Sequence, residues 1–326
     1  MKTLVTGAAG FIGFHTAKCL LDRGHEVVGI DCLNDYYSVN LKNARLGQLV
    51  KRDGFQFYRL DLSDRRAWDE TKAAISGVTG AIHLAAQAGV RHSIEHPFQY
   101  VDANLVAQMT ILELCRHQPD FEHLVYASSS SVYGGNKKLP FSVEDPTDTP
   151  VSLYAATKRA NEHMSYAYSH LYGIPQTGLR FFTVYGPWGR PDMALYLFAD
   201  AMMAGRPIEV FNNGDMKRDF TFIDDIVAGV VASYENPPIS IDGPPHRVYN
   251  IGNNRSVPLM HLIQLLEEAL GRKTELIMKP MQLGDVKETL ADIDAIQNDI
   301  GFEPTTPIDV GVPKFVEWFK EYEGYS

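Results

Sequence analysis

A short β-prone run, Thr3-Leu4-Val5, breaks at Gly7-Ala-Ala-Gly10-Phe-Ile-Gly13, and a helical pattern follows as far as Leu20 and Leu21. Strand, glycine turn and helix in that order leave few folds open. The glycines permit a tight turn and close backbone approach, while the helix start offers free N–H groups to an anion. A pyrophosphate suits that turn, with Gly7, Gly10, Phe11, Ile12 and Gly13 around it. A second strand, Glu26–Asp31, ends in an acid 18 residues after Gly13. A carboxylate there bonds the hydroxyls of an adenosine ribose and repels a 2′-phosphate, and Cys32 follows rather than an arginine. The expected cofactor is NAD rather than NADP. The expected fold is α/β, a Rossmann-type doubly wound parallel sheet.

Further strands are expected over residues 55–60, 80–86, 123–128 and 176–183, with helices over 101–117 and 154–170. Asp61 and Leu62 end the third strand, a usual place for adenine contacts, and Leu84, Ala85 and Ala86 form a small-residue turn against which a cofactor can lie. Asn34, and Asn104 near the start of its helix, complete the expected cofactor set. Ser128-Ser-Ser-Ser131 lies at the carboxyl edge of the fifth strand, where ligands bind in parallel sheets. Beyond residue 183 the alternation loosens into short strands near 208–210, 219–222, 247–251 and 274–278 and a helix over 258–270. No internal repeat or low-complexity tract is present.

Tyr154 and Lys158 fall four apart in a helical stretch, about 5–6 Å apart at Cβ on one face. A phenol titrates near pH 10, so serving as a base at pH 7 requires a shift of roughly three units, about 4 kcal/mol. One positive charge at ~4 Å supplies about that much at an effective dielectric near 20. Tyr154 is thus a candidate base with Lys158 as its charge. His92 and His96 share the same spacing, but the HExxH order is absent, Pro97 follows and no third ligand stands out, so no metal is expected.

A net charge of −10 and a pI near 5.5 leave no basic footprint for nucleic acid or an anionic membrane. No run approaches the ~18 apolar residues of a membrane span. Three cysteines without a CxxC pair suit a reducing compartment. His15 and the glycines interrupt the N-terminal apolar run, so the chain is read as mature and cytoplasmic.

With Gly7-x-x-Gly10-x-x-Gly13, Ser128–Ser131-Val-Tyr-Gly134 and Tyr154-x-x-x-Lys158 in this order, the chain resembles the extended short-chain dehydrogenase/reductases over nearly its whole length. The resemblance implies retained NAD and a nucleotide-sugar substrate. It makes Tyr154 the base on a sugar hydroxyl, Lys158 the group that lowers its pKa and holds the nicotinamide ribose, and Ser129 the partner hydroxyl. Dehydratases of this group carry an acid pair where Ser130 and Ser131 stand, and a serine protonates a leaving hydroxide poorly. Dehydration is therefore not expected.

Three segments are similar to the UDP-glucuronate 4-epimerases: Arg180 through Ala194, Ala86 through Arg91, and Gln282-Leu-Gly-Asp-Val286, although Leu283 stands where a proline is expected. That likeness implies interconversion of UDP-glucuronate and UDP-galacturonate by transient C4 oxidation with tightly held NAD. An arginine fork suits a C6 carboxylate, which Arg190 and Thr183 are expected to grip. Arg91, Ser129, Ser130, Ser131, Tyr154, Arg218 and Asp285 complete the expected substrate set, with Arg218 at the diphosphate. Asp225 is expected to cap a helix. Residues 1–180 are expected to hold NAD and 181–326 to form mainly a smaller nucleotide-sugar lobe, some of it returning to the first domain. The likeness also implies a homodimer through helices 101–117 and 154–170. The rival activities are UDP-glucuronate decarboxylation and neutral UDP-sugar 4-epimerisation; an NAD-sensing regulator without catalysis leaves Tyr154 and Lys158 unexplained.

Overall fold

The computed structural model describes residues 1–282 and 284–325, so Leu283 lies outside the described residues. Six strands open the chain: β1 Lys2–Thr6, β2 Glu26–Asp31, β3 Phe55–Arg59, β4 Gly80–His83, β5 His123–Ser129 and β6 Gln176–Phe181. Then come β7 Thr183–Tyr185, β8 Ile208–Val210, β9 Lys217–Phe222, β10 His246–Ile251, β11 Ser256–Pro258 and β12 Leu276–Met278. Seven strands form one parallel sheet in the order β10-β6-β5-β4-β1-β2-β3. The order reverses direction between β1 and β4, and a crevice for ligands opens there at the carboxyl ends.

Alternation along β1 fills both faces of the sheet. Leu4 packs with Ala81, Leu124, Ile111 and Leu112 on one side. Val5 packs with Ile82, Val125, Phe14 and Ile226 on the other. Burial of both faces explains why these strands read as near-continuous apolar runs. In the register of β5 with β6, Ser128 pairs with Arg180 and Ser129 with Phe181, which sets the serine run at the sheet edge.

Four expectations change. Residues 176–183 are not one strand: β6 stops at Phe181, the Phe182 N–H turns to the Ile251 carbonyl (3.1 Å), and β7 pairs with β9 in a separate three-stranded sheet. Residues 101–117 are not one regular helix: Val101–Val106 is a wide π turn and only Ala107–Arg116 is α-helical. There the Asn104 carbonyl accepts from the Asn161 side chain at 2.8 Å. Asp225 does not cap its helix, Ile223–Glu235; its carboxylate takes the Thr305 and Thr306 N–H groups at 3.1 and 2.9 Å, tying a distant loop to the first turn. The loop after β4 begins at Leu84, so the small-residue turn lies wholly outside the strand. Among the described residues, no helix is long and apolar enough to cross a membrane.

Candidate active site

The Leu153–Tyr172 helix starts at Ser152, whose hydroxyl accepts from the Ala155 N–H at 3.1 Å, and ends at Gly173 in the left-handed conformation. Its buried face carries Lys158, Asn161, Glu162 and Ser165, all polar. Each finds a partner. Glu162 accepts from the Ser128 hydroxyl (2.6 Å) and takes a bidentate Arg180 fork (2.8 and 2.9 Å). Lys158 donates to the Ala127 carbonyl at 3.0 Å. This network locks the helix to β5 and β6, so that Tyr154 stands over Ser129.

Tyr154, Lys158 and Ser129 line one cavity of about 680 Å³. Burial pushes the Tyr154 phenol up, while hydrogen bonding with Ser129 and the Arg190 charge act in the opposite sense. Arg190 is thus a second cation acting on the phenol, one that the helical spacing did not mark. Lys158 is itself pushed down to about 8 by burial.

Gly7, Gly10, Phe11, Ile12, Gly13, Asp31, Asn34, Asp61, Leu62, Leu84, Ala85 and Ala86 line the same cavity. Two glycines are required by the backbone. A Cβ on Gly7, at φ +69°, would meet the Ala85 nitrogen at 2.9 Å, and one on Gly13 would sit 2.0 Å from the Gly7 carbonyl oxygen. The Asp31 carboxylate is preset by the N–H groups of Ala9 (3.1 Å) and Leu33 (2.8 Å). Asn34 is fixed by Lys42, which donates to both its oxygens at 2.6 Å. Asn104 is the exception. It is buried outside the cavity, accepting from the Gln87 N–H (2.7 Å) and donating to Thr157 (3.0 Å), and so braces the catalytic helix.

Arg91, Ser130, Ser131, Thr183, Arg190, Arg218 and Asp285 also line the cavity. Arg218 donates to Asp285 at 2.6 Å, and Arg91 lies 3.8 Å from the same carboxylate. Arg190 is no solvated loop arginine: its Nε donates to Asp192 Oδ1 at 3.0 Å and its Nη2 to Oδ2. The hydroxyl of Tyr36 donates to that second oxygen at 3.1 Å.

The sequence matches the NAD dependent epimerase/dehydratase family over residues 3–252. The chain belongs to that family. Protein CapI of Staphylococcus aureus is 48% identical over 99% of this chain and 99% of its own length. The probable UDP-glucuronate 4-epimerase of Rhizobium meliloti is 46% identical over 98% of this chain and 97% of its own. Among solved structures, the UDP-glucuronic acid 4-epimerase of Bacillus cereus, in complex with UDP-glucuronic acid and NAD, superposes with a TM-score of 0.90 at 34% identity, covering 99% of this chain and 100% of that one.

NAD is the cofactor of this family, and the residues present fit it. The Gly7–Gly13 turn closes against Ala85 with no room for a Cβ, leaving bare backbone at the helix start. Asp31 offers a fixed carboxylate at the end of β2, where a ribose diol binds and a 2′-phosphate does not. Sequence reasoning gave no role to Tyr36, Lys42 or Asp192, which line the cavity. For Asp192 a signal existed in Arg190-Pro191-Asp192, a cation and an acid either side of a stiff residue. At the rim, His92, Glu95 and His96 bring donor atoms within 4.8 Å of one another, Glu95 supplying a third donor that the sequence did not mark.

Proposed function

We propose that this protein is a UDP-glucuronate 4-epimerase, interconverting UDP-glucuronate and UDP-galacturonate. One observation carries the reading. A base candidate, Tyr154, and a partly buried arginine, Arg190, line one cavity. A sugar with a C6 carboxylate and a reactive C4 hydroxyl has those two needs. Relatives whose names carry this activity match the whole chain.

In this reading Tyr154 takes the proton of the C4 hydroxyl and later returns one to the C4 oxygen once the sugar has turned its other face. Ser129 shares the hydrogen bond to the same oxygen, and Lys158 holds the nicotinamide ribose. Bound NAD supplies reversible acceptance of the C4 hydride, so no net oxidation results. Between the two transfers the 4-keto sugar turns about its pyrophosphate link. That keto sugar is a β-keto acid and can lose CO2. Arg190 and Thr183 hold its carboxylate out of the alignment needed for C–C cleavage, while Arg218 and Arg91 hold the diphosphate. Residues 1–180 serve mainly NAD and 181–326 mainly the nucleotide sugar.

We place the enzyme in the cytoplasm as a homodimer. Three free cysteines suit a reducing compartment, and Met109, Tyr166, Leu171 and Tyr172 expose apolar surface on the two helices expected to pair. Sedimentation of a monomer at micromolar concentration would contradict the dimer. The activity is tested by incubation with UDP-glucuronate and product analysis by NMR. UDP-galacturonate without UDP-xylose is expected; UDP-xylose, or no turnover, overturns the reading.

A further inference from the structure

The Arg190 fork already holds a carboxylate. Asp192 takes its Nε–Nη2 edge, and Tyr36, 156 residues away in the chain, donates to the same aspartate. Side chains of both members of the ion pair are about a quarter exposed or less. Pro191 between them fixes one of the backbone torsions that join them. A guanidinium has five N–H donors, so the Nη1 edge stays available to a second carboxylate after Asp192 has taken its share. Two carboxylates on one arginine repel each other, and each weakens the hold on the other.

We propose that Asp192, braced by Tyr36, is a positioning and tuning residue whose negative charge sets how firmly Arg190 grips the substrate carboxylate, so that the sugar is held for oxidation and released to turn. The proposal rests on the reading of Arg190 as the carboxylate ligand. An arginine without Asp192 would bind the uronate more tightly, and the sugar would turn more slowly between the two hydride transfers. Asp192 thus gives up ground-state affinity in exchange for turnover, as expected when uniform binding does not help the rate.

The test uses the full-length, NAD-loaded enzyme and the variant Asp192→Asn, which keeps the shape of the side chain and removes its charge. Dissociation constants for UDP-glucuronate and for UDP, which lacks the carboxylate, are measured by calorimetry, and kcat is measured separately. The expected result is a rise of about three- to tenfold in the ratio Kd(UDP)/Kd(UDP-glucuronate), the usual range for a removed like-charge contact, together with a lower kcat. Asp192→Ser must move the ratio in the same direction, and UDP binding itself reports that each variant has folded. An unchanged or smaller ratio overturns the proposal, as does a larger ratio with undiminished kcat. Failure of the wild type to turn over UDP-glucuronate would instead remove the underlying reading, so the two failures are distinct.

Discussion

On the cofactor side of the cavity the Asp31 carboxylate is met by backbone N–H groups, from Ala9 at 3.1 Å and Leu33 at 2.8 Å. On the substrate side, by contrast, the charges of Arg190 and Arg218 are met by the side chains of Asp192 and Asp285, although Arg218 also donates to the Lys217 and Lys287 carbonyls. Backbone donors are fixed by the fold and cannot change partner. Side-chain ion pairs can, because both members rotate about several bonds. The cofactor side is thus set for a ligand that stays, and the substrate side for one that must arrive, turn and leave. Lys158 marks the boundary: it is buried, with a carbonyl for a partner and no carboxylate among the described residues.

The strongest test of this contrast removes the base that both sides serve. Tyr154→Phe should lower kcat by about 10²- to 10⁴-fold with NAD binding intact, the range for general acid–base catalysis; a loss under tenfold would move the base elsewhere. Next comes the rigid support. Glu162→Ala leaves Arg180 buried without a counter-ion and should cost about 3–5 kcal/mol in chemical denaturation. A loss below about 1 kcal/mol would mean that the catalytic helix does not depend on this network.

Lys158 gives a smaller effect with a defined sign. Its folded value of about 8 lies below the ordinary 10.5, so burial of the ammonium costs stability at every pH below about 8. That cost fades as pH rises from about 8 towards 10.5. Lys158→Met should therefore stabilise the NAD-free protein at pH 7 by about 2 kcal/mol, with the lost carbonyl bond discounted. The gain should shrink at pH 9–10, and a gain independent of pH would contradict the assignment. Smallest is the exchangeable side. Arg190→Ala should weaken UDP-glucuronate relative to UDP by about tenfold, roughly 1.4 kcal/mol, and let UDP-xylose form. Equal losses for both ligands would place the carboxylate elsewhere.

The same contrast decides what could be read from the sequence. The Gly7–Gly13 turn and Asp31 are legible because close backbone approach demands glycine and the acid must end the next strand. Tyr154 and Lys158 are legible from helical spacing, but the Arg190 charge on the phenol was not, since Arg190 arrives from a loop beyond β7. Asn104 shows the reverse case. Its place at a helix start near the cavity suggested a ligand, yet its side chain is consumed by Gln87 and Thr157. The Tyr36–Asp192 contact joins residues 156 apart with no shared pattern, and only the closed fold brings them together.

In a 4-epimerase one hydride leaves C4 and returns to the same carbon while the carboxylate stays. UDP-glucuronate carrying deuterium at C4 tests it in a single incubation followed by NMR and mass spectrometry. The expected product is UDP-galacturonate that retains the deuterium at C4, with no UDP-xylose. Loss of the label to solvent, or its appearance in UDP-xylose, would contradict it.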